Sequence, residues 1–191
     1  MAATLGIVGA IASGKSTVAR WFEARGWSVV DADVQAHALY APGSGLVKAM
    51  ESRFGSGILR EDGAVDRAAL GKIVFEDPKA LADLDALVHP LARARIRSAM
   101  DQALEREENV ALEMALLYRW PEMVARLDRI LGIQCSDSTR LERLVARSGL
   151  TREEASARLD VQDQPLILAP ARIILDNDGS LGDLEALLAK I

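Results

Sequence analysis

Residues 9–16 have the types and the spacing of groups that bind phosphate. Gly9, Gly14, Lys15 and Ser16 fill the four fixed positions of the pattern G-x-x-x-x-G-K-[ST]. Glycines at such places let backbone N–H groups turn inward around phosphate oxygens, and a helix that begins at the loop points its positive end at the same anion. The pattern therefore predicts a site for the phosphates of a nucleotide.

The side chains of this loop have predicted tasks. Lys15 supplies a mobile cation for the β- and γ-phosphates, and the hydroxyl of Ser16 is placed to bind Mg²⁺. The predicted nucleotide contacts in the loop are Ala12, Ser13, Gly14, Lys15, Ser16 and Thr17. The alternative is a glycine-rich turn with a solvated lysine. The flanking segments favour the phosphate site, because residues 4–8 are typical of a buried strand and residues 17–25 of a helix.

The composition limits the classes of protein to which the chain can belong. Half of the 191 residues are hydrophobic, which suits one compact domain with or without a small subdomain. The net charge of −5, without a long run of Lys or Arg, argues against broad electrostatic binding of nucleic acid. The single cysteine, Cys135, excludes an intramolecular disulfide and a cysteine zinc cluster, and we expect it to be a small buried residue at a strand end.

Membrane attachment and export are not expected from the sequence. No apolar run approaches the roughly 20 residues that a membrane-spanning helix needs. The first residues lack a positive segment followed by an apolar stretch and a cleavage site. We therefore expect a cytoplasmic protein.

Apolar runs and their breaks predict an alternation of strands and helices. After the first strand, further strands are predicted at residues 27–31, 109–114, 129–135 and 172–176. Helices are predicted at residues 34–40, 46–54, 67–75, 78–88, 90–107 and 181–190, with a break at His89-Pro90. Asp137 or Ser138 can cap another helix, and residues 151–154 resemble the capping box of a helix that runs to Gln162 and stops near Pro165.

Two aspartates follow the second predicted strand, at the end where open parallel sheets bind ligands. Asp33 is our candidate for the group that orients or deprotonates an acceptor hydroxyl, because a general base must reach the proton that it takes. The alternative makes Asp33 the N-cap of the helix at 34–40, and the two roles are compatible. Asp31 is assigned to a structural contact or to a contact with Mg²⁺-bound water.

Taken in order, several segments resemble the motifs of the dephospho-coenzyme A kinase family, and the resemblance runs nearly the length of the chain. In the first half, the matching residues are Asp31-Ala32-Asp33-Val34-Gln35-Ala36 with Pro42-Gly43, Asp62-Gly63-Ala64-Val65-Asp66-Arg67 through Leu70 to Val74-Phe75, and His89-Pro90-Leu91. In the second half, they are Leu141, Arg143, Arg147, Arg158-Leu159 with Gln162, and Asp176-Asn177-Asp178-Gly179.

The resemblance implies an α/β fold of the P-loop NTPase class: a five-stranded parallel sheet between helices, with a helical acceptor-binding subdomain and a lid. Residues 1–191 then form a single kinase domain. Its core is about residues 1–34, 108–137 and 166–191, its acceptor-binding region about 35–107 and its lid about 138–165. The implied reaction transfers the γ-phosphoryl group of ATP, with Mg²⁺, to the ribose 3′-hydroxyl of the small-molecule substrate dephospho-coenzyme A.

The resemblance also implies roles for individual residues. The implied catalytic residues are Asp33, Lys15, Arg143 and Arg147, the implied acceptor contacts are Asp33, His89 and Leu117, and Asn177 is implied to contact adenine. On a mobile lid, guanidinium groups would neutralise charge on the transferred group. In isolation, Arg143 and Arg147 would be a solvated helix face, His89 an ordinary turn or core histidine, and Asn177 part of a simple turn.

The chain departs from the family pattern at a few places. Ala10 and Ala12 replace usual glycines, which a helix-like turn accommodates if neither alanine needs a positive φ. Residues 113–119 are atypical, with Glu113 where Asp is usual, and Arg140 replaces a usual Gln. Two alternatives therefore stay open: another small-metabolite or nucleoside kinase of the same fold, and a nucleotide-binding regulator with impaired transfer.

Overall fold

The computed structural model describes residues 2–191, which divide into two compact units. The first unit combines the chain up to Val30 with Gln102–Ile191, and the second is Asp31–Asp101. Five strands are present: β1 Thr4–Gly9, β2 Ser28–Asp31, β3 Val110–Glu113, β4 Arg129–Gln134 and β5 Ile173–Asp176. All five lie within two residues of their predicted bounds.

Ten α-helices alternate with these strands in the described chain. They are α1 Lys15–Glu23, α2 Ala32–His37, α3 Gly45–Phe54, α4 Arg67–Glu76, α5 Pro78–Glu105, α6 Pro121–Val124, α7 Asp137–Ser148, α8 Arg152–Asp160, α9 Gln164–Leu168 and α10 Leu181–Leu188. Short 3₁₀ helices cover Ala38–Tyr40, Ser56–Ile58 and Leu117–Arg119. No helix among residues 2–191 is long and apolar enough to cross a membrane.

The strands form one parallel sheet in the order β2-β3-β1-β4-β5, which confirms the predicted five-stranded parallel sheet. β1 lies at its centre, with Ile7 opposite Glu113 of β3 and Leu131 of β4. All six residues of β1 are buried, as expected for a parallel strand covered on both faces. Because the strands are parallel, the loops after β1, β3 and β4 leave the sheet at one edge.

The core of the first unit packs α1 and α10 against this sheet. Ile7 and Leu131 of the sheet belong to one buried cluster with Val18 and Phe22 of α1 and Leu184 of α10. Apolar side chains recur along α1 with a period near 3.6 residues, so the buried residues of α1 share one face of the helix. This packing fixes the start of α1 relative to the end of β1.

The predicted break at His89-Pro90 is wrong, because α5 continues through Pro90 as one helix of 28 residues. Proline removes one backbone donor and normally bends or ends a helix. Here the buried stripe of Ala92, Ile96 and Met100 keeps helical spacing after the proline. The apolar face therefore outweighs the single missing hydrogen bond.

The helix caps also differ from two of the predictions. Asp31, not Asp33, caps α2, because its Oδ1 accepts hydrogen bonds from the backbone N–H groups of Asp33 and Val34 at 2.8 and 3.1 Å. Ser136, rather than Asp137 or Ser138, caps α7. The capping box at Thr151 is confirmed. Pro165 lies in the first turn of α9, where its missing N–H costs no helical bond.

The close approach of β1 and β4 at Gly9 gives a stability prediction. An added Cβ at Gly9 would lie 2.6 Å from the backbone oxygen of Ile133 and 2.5 Å from Ser13 Oγ. We expect Gly9→Ala to destabilise the fold by about 1–3 kcal/mol, as overpacked sites do. Chemical denaturation should be compared with Gly71→Ala in α4, where no neighbouring atom lies within 4 Å and a gain of about 0.5–1 kcal/mol is expected. Equal stabilities of the two variants would contradict this packing.

Candidate functional site

The loop between β1 and α1 adopts two left-handed backbone conformations. Gly14, the residue before α1, has φ 106°, which glycine tolerates without steric cost. A Cβ at Gly14 would lie 2.2 Å from Nδ2 of Asn177, so no larger residue fits there. Ala12 has φ 61°, so the condition under which a helix-like turn accommodates both alanines is not met at this position. Neighbouring contacts must hold Ala12 in a conformation that alanine disfavours.

Side chains from distant parts of the chain hold the loop carbonyls. Asn177, which follows β5 and is buried, donates from Nδ2 to the carbonyl of Ser13 at 2.7 Å. Arg140 of α7 donates from Nε to the carbonyl of Ile11 at 3.1 Å, and Gln162 accepts from the N–H of Ile11 at 2.6 Å. The adenine contact predicted for Asn177 stays a prediction; in the structure its side-chain amide braces the phosphate loop.

Lys15 and Ser16 stand in the first turn of α1. Lys15 Nζ donates to the carbonyl of Ala10 at 3.2 Å, so the side chain folds back over the loop. The first N–H groups of a helix have no partner within it, and Lys15 is the first residue of α1. Backbone donors and a cation are thus brought together at the predicted phosphate site.

Glu113 makes a contact with the phosphate loop that the sequence did not reveal. It is the last residue of β3, its side chain is buried, and its Oε1 accepts a hydrogen bond from Ser16 Oγ at 2.7 Å. A hydroxyl and a carboxylate are the protein ligands that P-loop NTPases offer to Mg²⁺, which takes oxygen ligands and keeps several waters. The residues present therefore fit Mg²⁺. An acid at the end of the strand beside β1 is the signal that could have identified this contact.

The two arginines predicted for the lid, Arg143 and Arg147, lie on successive turns of α7 in different surroundings. Arg143 is half-buried and donates from Nη2 to the carbonyl of Gly179 at 3.3 Å and from Nη1 to Cys135 Sγ at 3.5 Å. Arg147 is exposed. Arg143 is therefore partly fixed by the turn after β5, whereas Arg147 is in solvent and can reach a ligand.

The ends of β4 and β5 are joined through Asp178. Its carboxylate accepts from the N–H and the hydroxyl of Ser136 at 3.0 and 2.7 Å. Hydrogen bonds from Thr139 and Ser136 hold the pKa of Asp178 well below its ordinary value. This carboxylate therefore stays charged and links the cap of α7 to the turn that carries Asn177.

The remaining predicted residues lie in the core of the first unit or in the second unit. Leu117, predicted as an acceptor contact, is fully buried and would touch a Cβ added at Gly6, so it supports the core and presents no surface to a ligand. In the second unit, Asp33 is exposed in the first turn of α2. His89 lies on α5, with Nε2 at 3.4 Å from Asp85 Oδ1. Among residues 2–191, no group of three or more His, Cys, Asp and Glu could hold a metal ion.

Cys135 gives a chemical test of this region. It follows β4, is buried as expected, and burial raises the pKa of its thiol to about 11, with a further contribution from the Asp178 hydrogen bond. Only the thiolate reacts with alkylating reagents. We expect iodoacetamide at pH 8 to modify the folded protein at least about 10²-fold more slowly than the unfolded chain. Because the sequence has one cysteine, the signal is unambiguous. Equal rates in buffer and in denaturant would contradict the buried position.

Known proteins share this arrangement over the whole chain. The sequence model of the dephospho-CoA kinase family matches residues 3–183. A dephospho-CoA kinase of Symbiobacterium thermophilum is 41% identical over 183 residues, which are 93% of this chain and 74% of that protein. The crystal structure of TT1252 from Thermus thermophilus has a TM-score of 0.78 and 34% identity, and the match covers 100% of this chain and 98% of that one.

A second solved structure is similar over the same length. The dephospho-CoA kinase from Campylobacter jejuni has a TM-score of 0.75 and 27% identity, covering 100% of this chain and 95% of that one. The family match spans the phosphate loop, Glu113 and the arginines of α7. The chain belongs to the dephospho-CoA kinase family.

Proposed function

We propose that this protein transfers the γ-phosphoryl group of ATP to the ribose 3′-hydroxyl of dephospho-CoA, which gives CoA and ADP. The observation that carries the proposal is the loop in which Lys15 and the paired Ser16 and Glu113 stand together, in a member of this family. Phosphoryl transfer asks little covalent chemistry of a protein. Its tasks are to align donor and acceptor and to stabilise the charge of the transition state.

The donor side of the reaction falls to the phosphate loop. Backbone N–H groups at the start of α1 and the ammonium of Lys15 bind the β- and γ-phosphates, and they stabilise the charge that develops between them. Mg²⁺, held by Ser16 and Glu113, supplies positive charge to the same phosphate oxygens when it is bound. Arg143 and Arg147 contribute guanidinium groups to the transferred group from α7.

On the acceptor side, Asp33 orients the 3′-hydroxyl or accepts its proton, and His89 contacts the acceptor. Support for Asp33 comes from the cap of α2. Asp31 takes the capping hydrogen bonds, so the exposed carboxylate of Asp33 is not needed for that structural task.

Two other functions deserve comparison with this proposal. A regulator with impaired transfer was suggested by the atypical residues 113–119, but the longer Glu113 still reaches the Ser16 hydroxyl at 2.7 Å. A kinase for another small metabolite would share the phosphate loop but not the family match over residues 3–183. The first observation favours an active kinase over the regulator, and the second favours dephospho-CoA as acceptor.

An ADP-release assay with a panel of acceptors tests the proposal directly. With ATP and Mg²⁺, ADP release should depend on dephospho-CoA, and the product should carry one added phosphate on the ribose. Shikimate, gluconate and nucleosides serve as the competing acceptors. Turnover with one of these acceptors and not with dephospho-CoA would replace the proposed substrate, and ATP binding without transfer to any acceptor would favour the regulator.

Lys15→Ala tests the role of the loop lysine. The side chain contributes charge to the transition state and does not belong to the core. We expect phosphoryl transfer to fall by several orders of magnitude while the melting temperature changes little. Turnover rates and thermal stability of the purified variant measure both effects. A folded Lys15→Ala protein with wild-type turnover would exclude the mechanism.

Paired substitutions at Asp33 and Asp31 separate catalysis from capping. Asp33→Asn removes the carboxylate but no capping bond, so we expect turnover to fall by roughly 10²- to 10⁴-fold with nearly unchanged stability and ATP affinity. Asp31→Ala removes the cap of α2 and should cost about 1 kcal/mol of stability. Steady-state kinetics and denaturation of both variants decide the matter. Full turnover by Asp33→Asn would remove Asp33 from the catalytic residues.

A further inference from the structure

The backbone N–H and the backbone carbonyl of the loop residue Ile11 are both bound by side chains from the segment 138–165. The N–H of Ile11 donates to Gln162 Oε1 at 2.6 Å, and its carbonyl accepts from Arg140 Nε at 3.1 Å. A backbone N–H can only donate, so the contacting atom of Gln162 must be its oxygen. The amide orientation of Gln162 is thereby fixed by the loop.

Arg140 is held for this contact at an energetic cost. Its side chain is 2% exposed, although guanidinium groups are among the groups most costly to bury. Nη1 pairs with Asp137 Oδ1 at 2.8 Å, and Nε binds Ile11. Nη2 is buried without a hydrogen-bond partner in the described chain. Packing alone would not require a charged side chain at this position. We therefore attribute the buried guanidinium group of Arg140 to its directed hydrogen bond with the carbonyl of Ile11.

The position of Ile11 gives these two bonds their effect. Its carbonyl belongs to the peptide plane that precedes Ala12, the alanine with φ 61°. The bond from Arg140 fixes that plane, and the bond to Gln162 fixes the plane before Ile11. The next plane, after Ala12, carries the N–H of Ser13, which donates to the carbonyl of Ala10 at 3.2 Å. Ala12 therefore lies between two held planes, the first of them held by Arg140, and has little freedom to relax into the right-handed conformation that alanine prefers. The bond to Gln162 restrains Ile11, the residue that leads into this turn.

We propose that Arg140 and Gln162 are positioning residues that hold the phosphate loop in its phosphate-binding conformation from the α7–α9 segment. They act through the peptide groups of Ile11 and touch no reacting atom. The proposal rests on the proposed function, because it takes a triphosphate as the ligand of the loop. It makes the affinity for polyphosphate depend on two residues that lie 129 and 151 positions beyond Ile11.

Arg140 and Gln162 line a cleft formed by residues between 137 and 165. Matched substitutions test the proposal, because this cleft is also lined by a second glutamine and a second arginine. Gln162→Met removes the acceptor for Ile11 and keeps the size of the side chain, while Gln164→Met changes a neighbour that lines the same cleft. Arg140→Met removes the donor for Ile11, Arg140→Lys keeps a cationic donor, and Arg152→Met changes an exposed arginine that also lines the cleft.

The readouts are the dissociation constants of ATP and of inorganic tripolyphosphate, measured by titration without acceptor at a temperature where every variant is folded. We expect Gln162→Met and Arg140→Met to weaken both ligands about tenfold to a hundredfold, the size expected when a buried hydrogen bond loses one partner. Arg140→Lys should recover part of this loss. Gln164→Met and Arg152→Met should bind like the wild type.

A purely structural role would lower thermal stability and leave the affinity for tripolyphosphate unchanged in the folded variants. That result for Gln162→Met, or an equal loss in Gln164→Met, would overturn the proposal. If Arg140→Met does not fold, the Gln162 and Gln164 pair carries the test, since both replacements are neutral and of similar size. Titrations without acceptor stay informative if dephospho-CoA proves to be the wrong acceptor, which the ADP-release assay shows separately.

Discussion

The phosphate loop depends on a backbone conformation that its own residues do not favour. Ala12 has a positive φ, which costs a non-glycine residue about 1–2 kcal/mol. Contacts from Arg140, Gln162 and Asn177 hold the loop, and these residues lie 129 to 164 positions later in the chain. The loop conformation therefore depends on contacts from α7, from the turn after α8 and from the turn after β5. Its geometry is a property of the folded chain and not of the local sequence.

The same contacts explain how an acidic protein can bind a highly charged anion. The net charge is −5, yet the carbonyls of Ala10, Ile11 and Ser13 are each bound by a side-chain donor. The partial negative charge of these carbonyl oxygens is thus turned away from the ligand or neutralised. The positive end of α1 stays available to bind the anion. The dipole of α1 and the ammonium group of Lys15 provide local positive charge at the loop. The protein therefore does not need a broad cationic surface, which its composition had made improbable.

The sequence predicted the elements that depend on local pattern. The five strands were found because buried parallel strands are short apolar runs, and the loop was found because its glycines and Lys15 stand at fixed spacing. Pro90 was misjudged, because the apolar stripe that continues α5 outweighs a local rule. The cap of α2 was misplaced by two residues, since Asp31 and Asp33 are equally good capping residues in isolation.

Contacts between distant residues could not be predicted in this way. Glu113 was noted as an unusual residue, but only the register of β3 beside β1 brings it to Ser16. The bonds of Arg140 and Gln162 to Ile11 depend on how α7 and the turn after α8 pack, which no periodicity encodes. The left-handed conformation of Ala12 could not be predicted either, because an alanine in a sequence gives no signal for a positive φ. It depends on contacts of the loop in the folded chain.

Distant side chains thus hold the loop in the conformation that receives a triphosphate. A crystal structure with Mg²⁺ and a non-hydrolysable ATP analogue tests it most directly. We predict the β- and γ-phosphates against the N–H groups at the start of α1, with the bonds of Asn177 to Ser13 and of Arg140 and Gln162 to Ile11 intact. A bound triphosphate outside the loop, or a loop whose Ile11 and Ser13 groups have left these partners, would contradict the account.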